Sequence, residues 1–220
     1  MHLIICTQYY PPEVGAPQNR LSELARLLAD RGHQVSVITA MPNYPSGKIH
    51  DGYGGLFQRE RVAGVDVLRT AIYPTQSLGL LRRLASYCSF VCSSIVLGTL
   101  LLRRADYLLV ESPPLFLGLA GFWLSRAKRA RLIFNVSDLW PESAVQLGIV
   151  RRGGLLHRLS SWLEASLYQR HFFLVAPATR SRLCPARLQP VPGSPASFFD
   201  SIHPSRTPSL FRLAMVSCRH

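Results

Sequence analysis

A chain of 220 residues, 48% of them hydrophobic, is long enough to bury a full core, and one domain of ordinary size plus a tail is the natural expectation. Its formal net charge of +13 rests almost wholly on arginine, whose planar fork favours anionic partners: nucleic acid, anionic lipid head groups or phosphorylated small molecules. No nucleic-acid reading motif accompanies the charge, so nucleic acid is set aside.

Met1 to Cys6 carries no basic leader and too short an apolar run for a signal peptide, and it is read as a first strand. Leu3 to Cys6 is continuously apolar, as a parallel strand covered on both faces should be. A loop rich in Pro and aromatic residues follows from Thr7 to Pro17. Leu21, Leu24, Ala25, Leu27 and Leu28 then share one helical stripe that stops at Gly32. Val35, Val37 and Ile38 form the next strand, completing a β-loop-α-β unit with a right-handed crossover. Gly15 and Ala16 are a small pair just before the helix. Either they let an anion reach the backbone N–H groups and the positive helix end, or Gly15 only relieves a tight turn. The pattern G-x-G-x-x-G is absent, Thr39 rather than an acid ends the second strand, and no Walker sequence occurs, which argues against an NAD enzyme or a P-loop ATPase.

Met41 to Gly55 is a long loop punctuated by turn residues, of the kind that is functional or mobile. Tyr44 and Tyr53 could offer flat faces to a sugar and Lys48 could meet a pyrophosphate, or all three are solvent-exposed residues without a role. Phe57 to Val62 and Val65 to Ile72 flank Ala63-Gly64, a hairpin signal. Leu84 to Leu102 then runs for nineteen residues without a charge, between Arg82-Arg83 and Arg103-Arg104. As a helix it is ~28 Å long, enough for a bilayer core. Tyr107 to Val110 reads as a further strand of the sheet already begun, and strands of one sheet cannot lie on opposite sides of a membrane. The expectation is a long crossover helix with one face in the core. Its other face either packs as well or touches a membrane surface, the arginines meeting anionic head groups.

Glu111 to Pro114 follows that strand, and Leu115 to Ala127 is expected to be a helix. Arg126, Lys128, Arg129 and Arg131 either face lipid phosphates or form a solvated helix end. The apolar run Leu132 to Val136 reads as a buried strand ending at a polar turn, where Asp138 and Glu142 bracket Trp140 and Pro141. In open α/β sheets ligands bind at that edge. Leu155 to Leu167 repeats at helical spacing, and Phe172 to Ala176 resembles one more strand. Seven of the sixteen prolines fall after Ala176, with no periodicity until Leu210 to Val216. Cys6, Cys88, Cys92, Cys184 and Cys218 suggest no disulfide framework or metal site, and are read as buried free thiols in a reducing cytoplasm.

Three sequences taken together carry a resemblance: Tyr-Tyr-Pro-Pro-Glu-x-Gly at 9–15, Pro-Asn-Tyr-Pro at 42–45, and Asp-Leu-Trp-Pro-Glu-Ser at 138–143 followed by Ala-Val-Gln-Leu-Gly. The chain resembles family 4 glycosyltransferases of the bacterial surface-polysaccharide subgroup, over about Met1 to Arg180. The resemblance implies an α/β fold, a Rossmann-like and mostly parallel sheet flanked by helices, forming the amino-terminal, acceptor-side half of a GT-B enzyme over residues 1–180. Residues 181–220 form an irregular Pro/Arg/Ser-rich tail where relatives continue into a second domain, as in a truncated or frame-shifted product. The implied reaction moves a sugar with retention from a nucleotide sugar to a lipid-linked or other glycan acceptor, without a metal or other cofactor. The site residues follow from the same resemblance. Asp138 orients the acceptor or accepts its proton, or else only caps its turn; Gly15, Ala16 and Arg20 face the donor phosphates; Asn43, Tyr44, Lys48 and Glu142 bind the acceptor. Many relatives carry a His at or beside the position of Glu111 or Ser112; this chain has none, and that role is not carried over. The location implied is cytoplasmic, extending to the inner face of the plasma membrane. Two other classes stay open: a non-catalytic, membrane-associated binding fragment, and a half of a sugar-nucleotide epimerase, which shares the GT-B architecture.

Overall fold

The computed structural model describes residues 1–76, 79–112, 116–136, 173–176 and 214–216. In chain order these form β1 (His2–Cys6), α1 (Ala16–Asp30), β2 (Gln34–Ala40), β3 (Phe57–Val62), β4 (Val65–Thr70), α2 (Leu80–Leu101), β5 (Tyr107–Ser112), α3 (Leu117–Lys128), β6 (Arg131–Val136), β7 (Phe173–Ala176) and β8 (Ala214–Val216). The strands make one sheet in the order β3-β4-β2-β1-β5-β6-β7-β8. The β3–β4 and β7–β8 pairs are antiparallel and the remaining neighbours are parallel. The expected Rossmann-like, mostly parallel sheet flanked by helices is therefore present.

Alternation along the strands divides the core into two layers. Ile4, Cys6, Ile38, Leu68, Leu108, Val110, Leu132 and Phe134 face one way and meet Phe90 and Val91 of α2 and Leu117, Ala120 and Leu124 of α3. Leu3, Ile5, Val35, Val37, Val67, Leu109 and Ile133 face the other way and meet Leu21, Ala25 and Leu28 of α1. Both α2 and α3 thus cover one face, and α1 covers the opposite one. Two glycines let the first layer close. A Cβ on Gly98 would stand 2.9 Å from a Leu124 methyl, and one on Gly121 would stand 2.6 Å from a Val110 methyl.

The β3–β4 hairpin turns at Ala63 (φ 49°) and Gly64 (φ 80°), the two successive left-handed residues that a tight hairpin with native twist requires. Helix α2 starts at Leu80, ahead of Leu84, because Arg82 and Arg83 are themselves helical. Its inward stripe consists of Ser86, Phe90, Ser94 and Gly98, one residue per turn. That phase corrects the reading of Cys88 and Cys92 as buried: they lie on the outward stripe and are exposed, whereas Cys6 is buried as expected. Lys128 departs from the expected solvated helix end as well. It is buried, and its Nζ donates to the carbonyls of Thr99 and Leu102 at 2.6 Å each, satisfying groups that the last turn of α2 leaves without helical donors. Cys184, Cys218 and the helical repeat between Leu155 and Leu167 lie outside the described residues.

Candidate functional site

From β1 the chain crosses to β2 on one side, and β5 pairs with β1 on the other. The carboxyl ends of β1 and β5 therefore flank a topological switch point, where loops part and leave a crevice. Four segments reach it: the loop after β1, the loop after β2, the start of α2 and the end of β5.

Helix α1 opens at the crevice. Gly15 is its N-cap, no side chain among the described residues caps its first N–H groups, and its first turn holds no acid. The opening turn is left as a positive pole. A Cβ on Gly15 would lie 2.4 Å from Oε1 of the buried Gln18, so close approach is built into this turn. Gly15 has φ 175°, an extended conformation open to any residue, so its role is space and not backbone freedom. Ala16 is exposed beside it. Arg20, one further turn along, extends its Nη2 to Glu111 Oε1 at 2.6 Å, and Glu111 Oε2 accepts from Asn135 Nδ2 at 2.5 Å. Glu111 is buried while Arg20 is 41% exposed, so the pair holds the guanidinium in one direction and leaves part of it in solvent. Thus α1, β5 and β6 are joined by a single carboxylate.

The first two loops are tied by another carboxylate. Buried Glu13 accepts the backbone N–H groups of Asn43 and Tyr44 through Oε1, both at 2.8 Å, and that of Tyr10 through Oε2 at 3.4 Å. Burial pushes its pKa up, against the opposing pull of these three donors and of Arg69. Arg69, wholly buried on β4, adds a second tie. Its Nε donates to Glu60 Oε1 at 2.7 Å, its Nη2 donates to the carbonyl of Pro11, and its guanidinium lies 4.9 Å from the centre of the Tyr53 ring. Tyr53, read from the sequence either as a flat face for a sugar or as a loop residue without a role, lies against the Arg69 cation.

Of the residues expected to bind the acceptor, Asn43 is buried and its Nδ2 donates to the carbonyl of Met41 at 2.8 Å, shaping the loop. Tyr44 is exposed and meets Tyr9 edge to face at 5.9 Å between centroids. Lys48 stands exposed further along the loop, its backbone N–H on Ser46 Oγ at 3.2 Å. The structure thus brings Gly15, Ala16 and Arg20 onto one helix start and ties Asn43 and Tyr44 to the adjoining loop, with Lys48 standing apart. Asp138 and Glu142 lie outside the described residues.

Three residues of this wall were given no role at the crevice by the sequence, although Arg83 was read as one of the arginines for lipid head groups. The Tyr9 phenol is pushed up by burial, reinforced by Tyr87, Glu13 and Tyr44 and opposed by Arg83, so it remains a hydroxyl donor at any ordinary pH. Arg83 and Tyr87 come from the first turns of α2, which therefore borders the crevice. Their helical spacing was visible as i, i+4, but nothing in it distinguished a residue beside the site from one in the core.

The glycosyl transferase 4-like domain model matches residues 15–195. The chain is 26% identical over 171 residues to the Escherichia coli (strain K12) protein described as colanic acid biosynthesis glycosyl transferase WcaI, covering 76% of this chain and 42% of that protein. The chain thus spans less than half the length of that relative. Among solved structures it is similar to sucrose-phosphate synthase from Thermosynechococcus elongatus (11% identity, 78% of this chain and 41% of that one, TM-score 0.46). It is also similar to Arabidopsis thaliana UGT89C1 complexed with UDP (14% identity, 80% and 42%, TM-score 0.47).

Proposed function

The chain belongs to the glycosyl transferase 4-like family, and from that premise we propose that it forms the acceptor-side wall of a retaining sugar transferase in polysaccharide biosynthesis. The donor is a nucleotide sugar. The acceptor is a lipid-linked glycan, and the reaction takes place on the cytoplasmic side of the membrane. The observation that carries this reading is the uncapped start of α1, with Gly15, Ala16 and Arg20, placed at the switch point of the sheet. A diphosphate there meets backbone N–H groups, the positive helix pole and an arginine that Glu111 holds in position. Charge on the departing phosphate is stabilised by these fixed donors without reorganisation.

Asp138, two residues past β6 in sequence, is assigned the acceptor hydroxyl, as orienting group or proton acceptor, and Glu142, four residues further on, is assigned to acceptor binding. Tyr44 and Tyr9 supply aromatic edges to the sugar, and Lys48 supplies charge at the rim. Donor and acceptor must be held in register between two walls, and this chain supplies one of them. The 220-residue chain by itself is therefore expected to turn over no nucleotide sugar.

The test uses the chain joined to the carboxyl-terminal half of a family relative, with a panel of nucleotide sugars and lipid-linked acceptors. Product anomers are read by proton NMR. Transfer with retention is expected, with Arg20→Ala raising the donor KM and Asp138→Asn lowering kcat by roughly a hundredfold or more. Inverted product, or full turnover by Asp138→Asn in a folded protein, would sink the respective assignment.

A further inference from the structure

Helix α2 is long and apolar enough to cross a membrane, yet it lies on the sheet, and only 28% of its apolar span is buried. Ser86, Phe90, Ser94 and Gly98 face the core. On the opposite side Leu81, Ala85, Cys88, Cys92 and Val96 follow at helical spacing, all exposed, and Leu100 extends the stripe. Leu81 is 81% exposed and Leu100 73%. The stripe is about 29 Å long from end to end. Helix α3 packs beside α2 over the same face of the sheet, and it too turns apolar residues outward: Leu119 at 42% and Trp123 at 55% exposure, one turn apart. Outward apolar residues at helical spacing on two neighbouring helices differ from the singly scattered leucines of an ordinary protein exterior.

Over residues 79–105 and 116–131 every charged side chain is basic, and the first acid past α2 is the exposed Asp106. Neither helix contains an Asp or Glu. Arg82 is exposed at the amino end of α2, Arg103 and Arg104 just beyond its carboxyl end, and Arg126 one turn past Trp123 on α3. An apolar stripe between arginines, on a helix fixed to a sheet, has the character of an interfacial helix and not of a span. Departure of α2 into a bilayer would uncover Phe90, Val91 and the sheet residues they cover.

We propose that the outward faces of α2 and α3 are a docking surface for an anionic lipid bilayer. Leu81, Val96, Leu100, Leu119 and Trp123 enter the boundary between head groups and acyl chains, and Arg82, Arg103, Arg104 and Arg126 meet lipid phosphates. Gln76, just ahead of α2, donates through Nε2 to the carbonyl of Pro45, which ties the amino end of α2 to the loop after β2 at the crevice. Docking therefore sets the mouth of the crevice at the lipid surface, within reach of an acceptor head group. Lipid binding is measured without any nucleotide sugar, so its failure and that of the transfer reading are separable.

The experiment is flotation of the full chain with vesicles of phosphatidylcholine, with and without a third of phosphatidylglycerol, at low salt and at 0.5 M salt. Binding to the anionic vesicles is expected, weakened roughly tenfold or more by high salt and by Arg82, Arg103 and Arg104 all changed to Glu. Leu81→Ser with Leu100→Ser should weaken it by a similar factor. In a variant with Trp140 and Trp162 both changed to Phe, emission from Trp123 should shift to the blue and be quenched by brominated acyl chains. Binding that both sets of variants leave unchanged would overturn the proposal. So would a lipid-independent dimer that shields Trp123, or membrane attachment that resists both high salt and alkali, the mark of an integral segment.

Discussion

Arg20 on α1 and Glu111 at the end of β5 are 91 residues apart in sequence and 2.6 Å apart in space. Their pairing joins the helix that opens the crevice to the strand that floors it. Glu111 is buried and also accepts from Asn135, so its removal takes this acceptor from the Asn135 amide, whereas the half-exposed Arg20 can turn to water. Glu111→Gln keeps the shape but places an amide against these donors. It is expected to cost roughly 1–2 kcal/mol, read as a lower urea midpoint at unchanged m-value. An unchanged midpoint would show that the pair is replaced by water at no cost.

Glu13 gives a pH-dependent signature. Its folded pKa is raised above the ordinary value of about 4.5, chiefly by burial. A group raised on folding contributes its stability fully below the ordinary value and loses it as pH rises through the folded value. The non-titrating Glu13→Gln variant should therefore lag the wild type most at or below pH 4.5, with the gap narrowing as pH rises further. The variant itself is expected to cost roughly 1–2 kcal/mol, because one end of the amide faces the Tyr10 N–H donor to donor. Urea unfolding of both proteins from pH 4 to 7 measures the trend, and a gap that widens with pH would contradict it.

Arg69 is a cation with no exposed surface, and Glu60, its partner, is 24% exposed. Arg69→Met preserves the volume of the stem but leaves Glu60 and the Pro11 carbonyl without their donor. A loss of roughly 2–4 kcal/mol is expected. Amide hydrogen exchange should also rise in the loops at 7–15 and 41–56, and destabilisation without such local loosening would show that Arg69 acts on the core and not on the crevice.

Gly121 is a packing position on α3. A methyl at its Cα would fall 2.6 Å from Val110 Cγ2, below any sustainable contact, so Gly121→Ala must push α3 away from β5. The expected cost is roughly 1–3 kcal/mol from overpacking, in spite of the better helix propensity of Ala. Thermal unfolding decides the sign: a gain would mean that α3 shifts freely.

How much of this was legible follows from where each signal resides. The hairpin at Ala63-Gly64 was readable because its turn demands particular residues, and the strands because their apolar runs are long and continuous. The start of α2 was missed by four residues because loss of hydrophobicity at Arg82-Arg83 is not loss of helix. Cys88 and Cys92 were placed inside because an evenly apolar helix hides its phase, and only the packed Phe90, Ser94 and Gly98 reveal which side faces the sheet. Gly15, Ala16 and Arg20 share one helix start because they are neighbours in sequence, and their expected donor role rests on the resemblance alone. The ties made by Glu13 and Arg69 were not readable, since Glu13 binds backbone N–H groups 30 and 31 residues away and Arg69 a backbone carbonyl 58 away. A backbone partner leaves no trace in side-chain identity.

Those two ties also bear on the entropy of ligand capture. Loops that order only when a ligand arrives lose about 1–2 kcal/mol of backbone freedom per residue at that moment, and affinity falls by the same amount. Here the turn at Tyr10 to Glu13 is anchored to Asn43 and Tyr44 on one side and, through Pro11, to Arg69 on the other, by contacts that lie wholly within the chain. Their freedom is surrendered during folding, where the core of the sheet offsets it. A ligand that enters between these loops would meet a surface already in shape, and little of its binding energy would go into ordering them.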